Sequence, residues 1–349
     1  MARSNTKNVT LKFLSEQLGL HVSTVSRVLN GGVHDAETAA SPETIKKIRE
    51  LAQSLNYTPN TLAKSLKSQK SQVVGVLVPK LSDLVLATIY EGIDAAATKH
   101  NYVTFVSNTN DVPKNQRKLG EMALSRRVDG LIIADAHLNN AETTEFFDFL
   151  TQRDIPFVLV SRGVDGFPSV TCDDYLGGRL AAEHFLSSGK HQCIGILAGE
   201  PFASTGYLRA KGFKDYCFEH GVQLLEKNII HSGFDVDSGY HAGLQLLSQE
   251  NAPSAVFAVN DFIAIGLMGA VKKLNLLSGK DISIIGFNDI SLAKQLPIPL
   301  SSINSPMYAM GFNAFELLLK IMNGSEAESL KMKPTIMCRE SSLDYQHHS

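Results

Sequence analysis

From residue 73 onward, apolar runs of strand length alternate with amphipathic segments of helix length, and this alternation restricts the fold more than any other feature. The first set of runs is VVGVLVP, YVTFVSN, VDGLIIAD and IPFVLVS, and the second is CIGILAG, NIIHSG, AVFAVND and ISIIGFND. Unbroken β-branched runs are typical of strands that are buried on both faces of a parallel sheet. The pattern predicts two parallel α/β lobes with a ligand cleft at the carboxyl ends of their strands.

Two further segments are predicted to connect the lobes. SVTCDD at residues 169–174 lies between the two sets of strands, and LSSINSP at residues 300–306 follows the second set. With these connectors the lobes form a clamshell. The expected first lobe is 73–173 with 304–332, and the expected second lobe is 174–303 with 333–349.

The first 58 residues have no strand pattern and predict short helices. The first helix follows Thr10, a plausible N-cap, and Gly19 permits a tight turn at its end. HVSTVSRVLN, residues 21–30, predicts the second helix. Two short helices joined by a glycine turn and backed by a third are the helix-turn-helix arrangement, so 1–58 is expected to be an all-α domain.

The third helix begins at Ser41-Pro42, with the serine as N-cap and the proline in the first turn. Residues 31–40, GGVHDAETAA, are predicted to be a polar loop before it. After Pro59, a short helix over about 61–67 is too brief to be stable alone, because helix nucleation is costly. By themselves, residues 59–72 are therefore predicted to be a flexible linker.

Charge is distributed unevenly along the chain. Residues 1–70 contain ten Lys/Arg and five Asp/Glu, a formal charge of +5, whereas the whole chain carries −2. A basic N-terminal region on an acidic body suggests contact with a polyanion, although chance clustering gives the same pattern.

Motifs for catalysis, metal binding and membrane insertion do not stand out in the sequence. There is no GxGxxG, HExxH or GxSxG, and SSGK at 187–190 lacks the glycine spacing of a phosphate-binding loop. Four separated cysteines form no CxxC pair, and no apolar run is long enough for a signal peptide or membrane span. We expect a cytoplasmic protein that has no enzyme activity, no cofactor, no catalytic or metal site and no membrane partner.

The polar side of 21–30 carries groups suited to DNA. A helix in the major groove reads bases near its N-terminus, where Val22 and Ser23 lie, and Arg27 follows one turn later on the side of Ser23. Arginine pairs with guanine, and short hydroxyl and amide side chains bind phosphates. An ordinary solvated helix has a similar composition.

The N-terminal sequence resembles the signature of the lactose/galactose repressor family in two stretches, VTLKFLSEQLGLHVSTVSRVLNG and SPETIKKIRELAQSLNYTPNTLAKSLKS. The resemblance continues through VVGVLVP, RRVDGLIIA, LAGE, the RxxGF of Arg209 to Phe213, VNDFIAIG and DISIIGFND. It implies a helix-turn-helix domain with a hinge helix, followed by a two-lobed α/β effector domain of the periplasmic-binding-protein-like (type I) class. It also implies a regulator, most often a repressor, that binds palindromic double-stranded operator DNA as a homodimer or dimer of dimers.

The resemblance assigns roles to residues of the DNA-binding region. Val22 and Ser23 match variable base readers, and Arg27 matches a nearly constant base contact. Ala63 and Leu66 match the hinge helix, whose leucine wedges into the minor groove and so kinks DNA. The sequence departs from the family at 31–40, which is longer than the usual connection. The full set of candidate DNA-binding residues is Thr10, Val22, Ser23, Thr24, Ser26, Arg27, Asn30, Tyr57, Asn60, Ala63 and Leu66.

Polar residues near the predicted strand ends form the candidate effector site. Arg209 is expected to open a helix, and Asn260 and Asn288 follow strands; the resemblance implies that all three contact an effector. Each of these polar residues could instead cap a helix or pair across the cleft. The candidate effector-binding residues are Asp83, Asp135, Arg162, Asp174, Arg209, Asn260 and Asn288.

The class of effector stays open between two alternatives. Asn288 stands where many sugar-binding members have aspartate, and Val85-Leu86 stands where they have an aromatic pair. Arg162 and Arg209 could bind a carboxylate bidentately. A sugar, nucleoside or related metabolite is the first expectation, and a carboxylate-bearing metabolite or a protein corepressor on the first lobe is the alternative.

Overall fold

A computed structural model describes residues 9–58, 70–189, 191 and 193–342. The chain divides into two units, residues 1–71 and 72–349. The predicted hinge segment 61–67 lies outside the described residues. No helix in the described part of the chain is long and apolar enough to cross a membrane.

The described part of the first unit consists of helices, as the local signals predict. Thr10 Oγ1 accepts a hydrogen bond from the Phe13 amide, Gly19 has a φ of 61°, and Ser41 Oγ accepts from the Thr44 amide. Leu14, Val25, Val28, Ala36, Ile48 and Ala52 form the core. The helices are α1 (Leu11–Leu18), α2 (Val22–Asn30), α3 (Val33–Ala39) and α4 (Pro42–Ser54).

The prediction of a polar loop over 31–40 is wrong, because seven of these residues form helix α3. The Asp35 carboxylate caps its start by accepting from the Gly32 amide at 3.0 Å. Ala36 is 2% exposed and packs into the helical core. The polar residues that suggested a loop face outward, and a single buried alanine gave too weak an apolar pattern to reveal the helix.

The second unit contains two six-stranded sheets, each flanked by helices. The strand orders are β11-β5-β4-β3-β1-β2 and β12-β10-β9-β8-β6-β7. All pairings between the named strands are parallel except β10 with β12. The strands of the first sheet are β1 (Val73–Val78), β2 (Val103–Asn108), β3 (Gly130–Ile133), β4 (Phe157–Val160), β5 (Ser169–Cys172) and β11 (Leu330–Met332). Those of the second are β6 (Ile194–Ala198), β7 (Ile229–His231), β8 (Ala255–Ala258), β9 (Ser283–Asn288), β10 (Ser301–Asn304) and β12 (Thr335–Met337).

The chain passes between these two lobes three times. Both predicted connectors contain strands: 169–172 form β5 of the first sheet and 301–304 form β10 of the second. The third passage joins β11 to β12. The helices of the second unit are α5 (Leu84–Lys99), α6 (Pro113–Ser125), α7 (Ala141–Gln152), α8 (Asp174–Ser187), α9 (Ser204–Glu219), α10 (Val236–Leu247), α11 (Asp261–Lys273) and α12 (Met307–Met322).

Candidate functional site

Helix α2 presents a polar face to solvent. Val25 and Val28 on its other side are 0% and 4% exposed and pack against α1, α3 and α4. Val22, Ser23 and Arg27 are exposed. The helix therefore has the amphipathic form that a groove-reading helix requires.

Hydrogen bonds within the first unit hold several of these side chains. His21, which the sequence did not single out, caps α2: its Nδ1 accepts from the Ser23 amide at 3.3 Å and lies 2.7 Å from Ser23 Oγ. Asn30 Nδ2 donates to Ser26 Oγ at 3.3 Å. Arg27 Nη2 donates to Thr38 Oγ1 of α3 at 2.7 Å.

The other candidates for DNA contact lie around this helix or outside the described residues. Thr24 is half-buried on α2, and Thr10 is exposed at the start of α1. Tyr57 packs its ring against the helical core, and burial raises the pKa of its hydroxyl group. Asn60, Ala63 and Leu66 lie outside the described residues.

A cavity of about 940 Å³ lies between the two lobes of the second unit. The first lobe contributes residues at or just after the ends of β1, β2 and β4, and the second contributes residues at or just after the ends of β7, β8 and β9. The cavity therefore lies at the strand carboxyl ends, as expected for open α/β sheets. Its polar and aromatic lining includes Lys80, Asp83, Asn108, Asn110, Asp111, Arg162, Glu200, Thr205, Arg209, Phe234, Asp235, Asp237, Asn260, Phe262 and Asn288.

Arg209 is fixed by three hydrogen bonds at the floor of the cavity. Its Nε donates to Asp174 Oδ1 at 2.7 Å, Nη1 to the Val259 carbonyl at 2.8 Å, and Nη2 to Asn288 Oδ1 at 3.3 Å. Its guanidinium carbon lies 3.7 Å from the centroid of the Phe287 ring. Burial raises the pKa of Asp174 to about 6, and the positive charge of Arg209 opposes that rise.

The expectation that Arg209 opens a helix is wrong. It lies within α9, which begins at Ser204. The start of α9 has no side-chain cap, so the sequence contains no local signal for it.

Arg162 forms a similar ion pair on the opposite wall. Its Nη1 and Nη2 donate to the two carboxylate oxygens of Asp111 at 2.6 and 3.0 Å, and His137 Nε2 lies 2.8 Å from Asp111 Oδ1. Burial opposes ionisation of Asp111, but the hydrogen bonds from His137 and Arg162 lower its pKa to about 2. The Arg162 guanidinium also lies over the rings of Phe202 and Phe234.

Two candidates that line the cavity also cap helices. Asp83 Oδ1 accepts from the Val85 amide at 2.9 Å at the start of α5. Asn260 Oδ1 accepts from the Ile263 amide at 2.7 Å, and its Nδ2 donates to the Phe234 carbonyl at 2.9 Å. Both residues therefore cap helices, which was the alternative interpretation, and both also line the cavity.

Asp135 and Asp174 are not among the lining residues. Asp135 is 1% exposed and accepts hydrogen bonds from Thr109 Oγ1 and from Gln116 Nε2. Asp174 is 3% exposed behind Arg209. Both carboxylates therefore support the wall of the cavity instead of facing its interior.

Several lining residues were missed by sequence reasoning. Asn108 ends β2, Asn110 and Asp111 follow it, and Phe234 and Asp235 follow β7. The strand-end rule that selected Asn260 and Asn288 would have found them if it had been applied to these two strands. Their rings and amides are the groups that make the cavity suitable for a polar organic molecule.

Comparison with known proteins identifies the chain. A periplasmic binding protein-like domain matches residues 182–342. The "HTH-type transcriptional repressor PurR" of Vibrio vulnificus is 30% identical over 336 residues, which span 95% of this chain and 98% of that protein. The chain belongs to the lactose/galactose repressor family. This family member is therefore a DNA-binding transcription regulator with a periplasmic-binding-protein-like effector domain.

Other relatives of this family member agree in sequence and in structure. The catabolite control protein A of Priestia megaterium is 30% identical and covers 92% of this chain and 95% of its own length. A lac repressor dimer bound to operator and the anti-inducer ONPF has a TM-score of 0.87 and 26% identity, covering 97% of this chain and 100% of its own. A family regulator from Enterococcus faecium with bound ribose has a TM-score of 0.68 and 28% identity, covering 78% of this chain and all of its own.

Proposed function

We propose that this regulator is a repressor that reads a palindromic operator through the exposed face of α2, as a homodimer or dimer of dimers in the cytoplasm, where the DNA lies. The observation that carries the proposal is the placement of Val22, Ser23 and Arg27 on the solvent side of α2. One small helix gives too little base contact, whereas two on a palindrome multiply specificity. The relative with the highest TM-score quoted above is a dimer bound to operator DNA.

Substitution of Arg27 tests the DNA-reading helix. An operator is first selected from random palindromes, and affinities for it and for unrelated DNA are then measured by fluorescence anisotropy. Arg27→Ala is expected to lower the ratio of operator to unrelated affinity by about 5- to 150-fold, because a bidentate arginine–guanine contact contributes about 1–3 kcal/mol.

Arg49→Ala is the matched control. It removes the same charge from an exposed position of α4 in the same unit. It is expected to leave the ratio of the two affinities unchanged, because a cation that acts on DNA through its charge alone does not distinguish sequences. An unchanged operator preference in Arg27→Ala would overturn the assignment of α2.

We further propose that the cavity between the lobes binds a neutral polar effector, a sugar, nucleoside or related metabolite. Arg162 and Arg209 already pair with Asp111 and Asp174, so neither offers an unpaired charge to a carboxylate ligand. Phe234 offers a ring on which a sugar or base can stack. A relative from Enterococcus faecium binds ribose.

A ligand screen tests the effector class. Pentoses, hexoses, ribonucleosides, purine bases and dicarboxylates are added separately to the full chain, and the melting temperature is recorded. A neutral polyol or nucleoside is expected to raise it, because a ligand that binds only the folded state stabilises that state.

Two variants localise the binding. Phe234→Ala is expected to abolish the shift, whereas Phe218→Ala, which is 82% exposed and outside the cavity lining, is expected to retain it. A stabiliser that acts equally on Phe234→Ala, or stabilisation by dicarboxylates alone, would overturn this effector proposal. Operator affinity measured with and without the stabiliser then gives its differential affinity for the two states.

A further inference from the structure

Helix α3 packs against the end of α2, and Gly31 makes this approach possible. A Cβ on Gly31 would lie 2.4 Å from the Arg27 carbonyl oxygen and 2.7 Å from Asp35 Cβ. Both distances are too short for any side chain at this position. The glycine therefore allows α3 to pack closely enough for Thr38 to meet Arg27 of α2.

One packing contact places α3 against α2, and one hydrogen bond caps its first turn. Ala36 is buried in the same core as Val25 and Val28 of α2. The Asp35 carboxylate holds the Gly32 amide at 3.0 Å. A helix of seven residues is too short to be stable alone, so these contacts determine where its outer residues lie.

Thr38 on α3 presents an oriented acceptor to Arg27. Its hydroxyl oxygen lies 2.9 Å from the His34 carbonyl oxygen and 3.1 Å from that of Asp35, so its single proton points back along α3. A lone pair is then directed at Arg27 Nη2, 2.7 Å away. The hydrogen bond thus has a defined direction, from the guanidinium to the hydroxyl.

Thr38 orients the guanidinium without neutralising it. Within residues 9–58 the ion pairs join Lys46 to Glu50 and Lys47 to Glu43, and none involves Arg27. A carboxylate partner would cancel the charge and repel phosphates, whereas a hydroxyl does neither. The guanidinium has five N–H groups in one plane, so one bond to Thr38 fixes that plane and leaves a donor pair for a base edge.

We propose that Thr38 is a positioning residue that orients Arg27 for base reading, which makes α3 part of the specificity-determining surface. This inference rests on the proposed function of α2. A free arginine side chain loses rotamer freedom when it binds a base, and an arginine already held in place loses less. The contact should therefore increase discrimination between bases more than it increases affinity for DNA in general.

The test compares two substitutions at Thr38 in the full chain. Thr38→Val keeps the β-branched shape and removes the acceptor, whereas Thr38→Ser keeps the hydroxyl. Single-base variants of the selected operator are first tested to find the one that Arg27→Ala no longer distinguishes from the operator. The measured quantity is the ratio of the affinity for the operator to the affinity for that single-base variant. Thr38→Val is expected to reduce this ratio about 3- to 10-fold, the range for one net hydrogen bond, and Thr38→Ser to keep it within about 2-fold.

A double-substitution cycle separates positioning from general damage to the helix. In the Arg27→Ala background, Thr38→Val is expected to have no further effect on the ratio, because its partner is gone. An equal effect in both backgrounds, an unchanged ratio, or tighter operator binding by Thr38→Val would each overturn the inference. If the wild-type protein prefers its operator and Arg27→Ala does not, the proposed function of α2 stands whatever the Thr38 variants show. If the wild-type protein has no operator preference, the proposed function and the inference about Thr38 both fail.

Discussion

Asp261 provides the sharpest prediction about the stability of the effector domain. This carboxyl group is 0% exposed at the start of α11, next to the cavity residue Asn260. It accepts hydrogen bonds from Ser302 Oγ at 2.6 Å and from the Ile290 amide at 2.8 Å, and it forms no ion pair within the described residues. Burial raises its pKa to about 7 against the opposing effect of these two hydrogen bonds.

The raised pKa fixes the sign and size of a pH effect. The unfolded chain loses this proton near pH 3.8, whereas the folded protein keeps it until about pH 7. The stability that the protonated group contributes is therefore complete below pH 3.8 and is lost as pH rises through 7. At about 1.4 kcal/mol for each pKa unit, the group costs the folded state about 4 kcal/mol at high pH, and about 3 kcal/mol of that loss falls between pH 5 and pH 8.

Asp261→Asn removes this titration, and urea unfolding at pH 5 and pH 8 measures the result. The amide loses one acceptor at every pH, so the change between the two pH values is the informative quantity, not the stability at either one. Wild type is expected to lose about 3 kcal/mol more than Asp261→Asn on going from pH 5 to pH 8. Asp148→Asn, at an exposed position of α7, should follow wild type. Parallel pH profiles for wild type and Asp261→Asn would refute the reasoning.

Three further variants test the buried contacts. Arg209→Met should lower the free energy of unfolding, measured in urea, by about 3–5 kcal/mol, because it leaves the buried Asp174 carboxylate without its cation. Adding Asp174→Leu should restore part of this loss. An Arg209→Met variant as stable as wild type would contradict the prediction. Gly311→Ala should lower thermal stability by about 1–3 kcal/mol, since its Cβ would lie 1.9 Å from the Ile89 carbonyl oxygen, and an unchanged melting temperature would show that α5 and α12 separate at no cost. The pKa of Asp111 is about 2, so its contribution to the free energy of unfolding is present above pH 3.8 and is lost as pH falls towards 2. The difference in urea stability between wild type and Asp111→Asn should therefore shrink on acidification. A difference that stays constant with pH would be inconsistent with the ion pair.

Local signals allowed most of the first unit to be predicted. Thr10, Gly19 and Ser41 act within three or four residues of their own position, so a cap or turn is visible in the sequence itself. Helix α3 was missed because its stability comes from packing. Ala36 contributes only when α2 and α4 are present to bury it.

The location of the cavity at the strand ends was predictable from the sequence, but its lining residues were predictable only in part. The strand-end rule correctly directed attention to Arg162, Asn260 and Asn288, which line the cavity. The same rule selected Asp135, which turns away into the wall, since the direction of a side chain after a strand depends on the neighbouring loops. The role of Arg209 in contacting a ligand stays a prediction, although its buried hydrogen bonds are now defined.

Hydrophobic periodicity and composition are properties of short stretches of chain, so they were enough to predict the two parallel lobes, the amphipathic helix α2 and the division of charge. Which charges pair with each other depends instead on how distant parts of the chain pack together. The pairing of Arg162 with Asp111 and of Arg209 with Asp174 joins residues 51 and 35 positions apart. Because of these ion pairs, Arg162 and Arg209, which could have bound a carboxylate ligand, are fixed parts of the cavity wall. The contact between Arg27 and Thr38 likewise depends on α3 packing against α2, since a helix that is unstable alone takes its place from its neighbours.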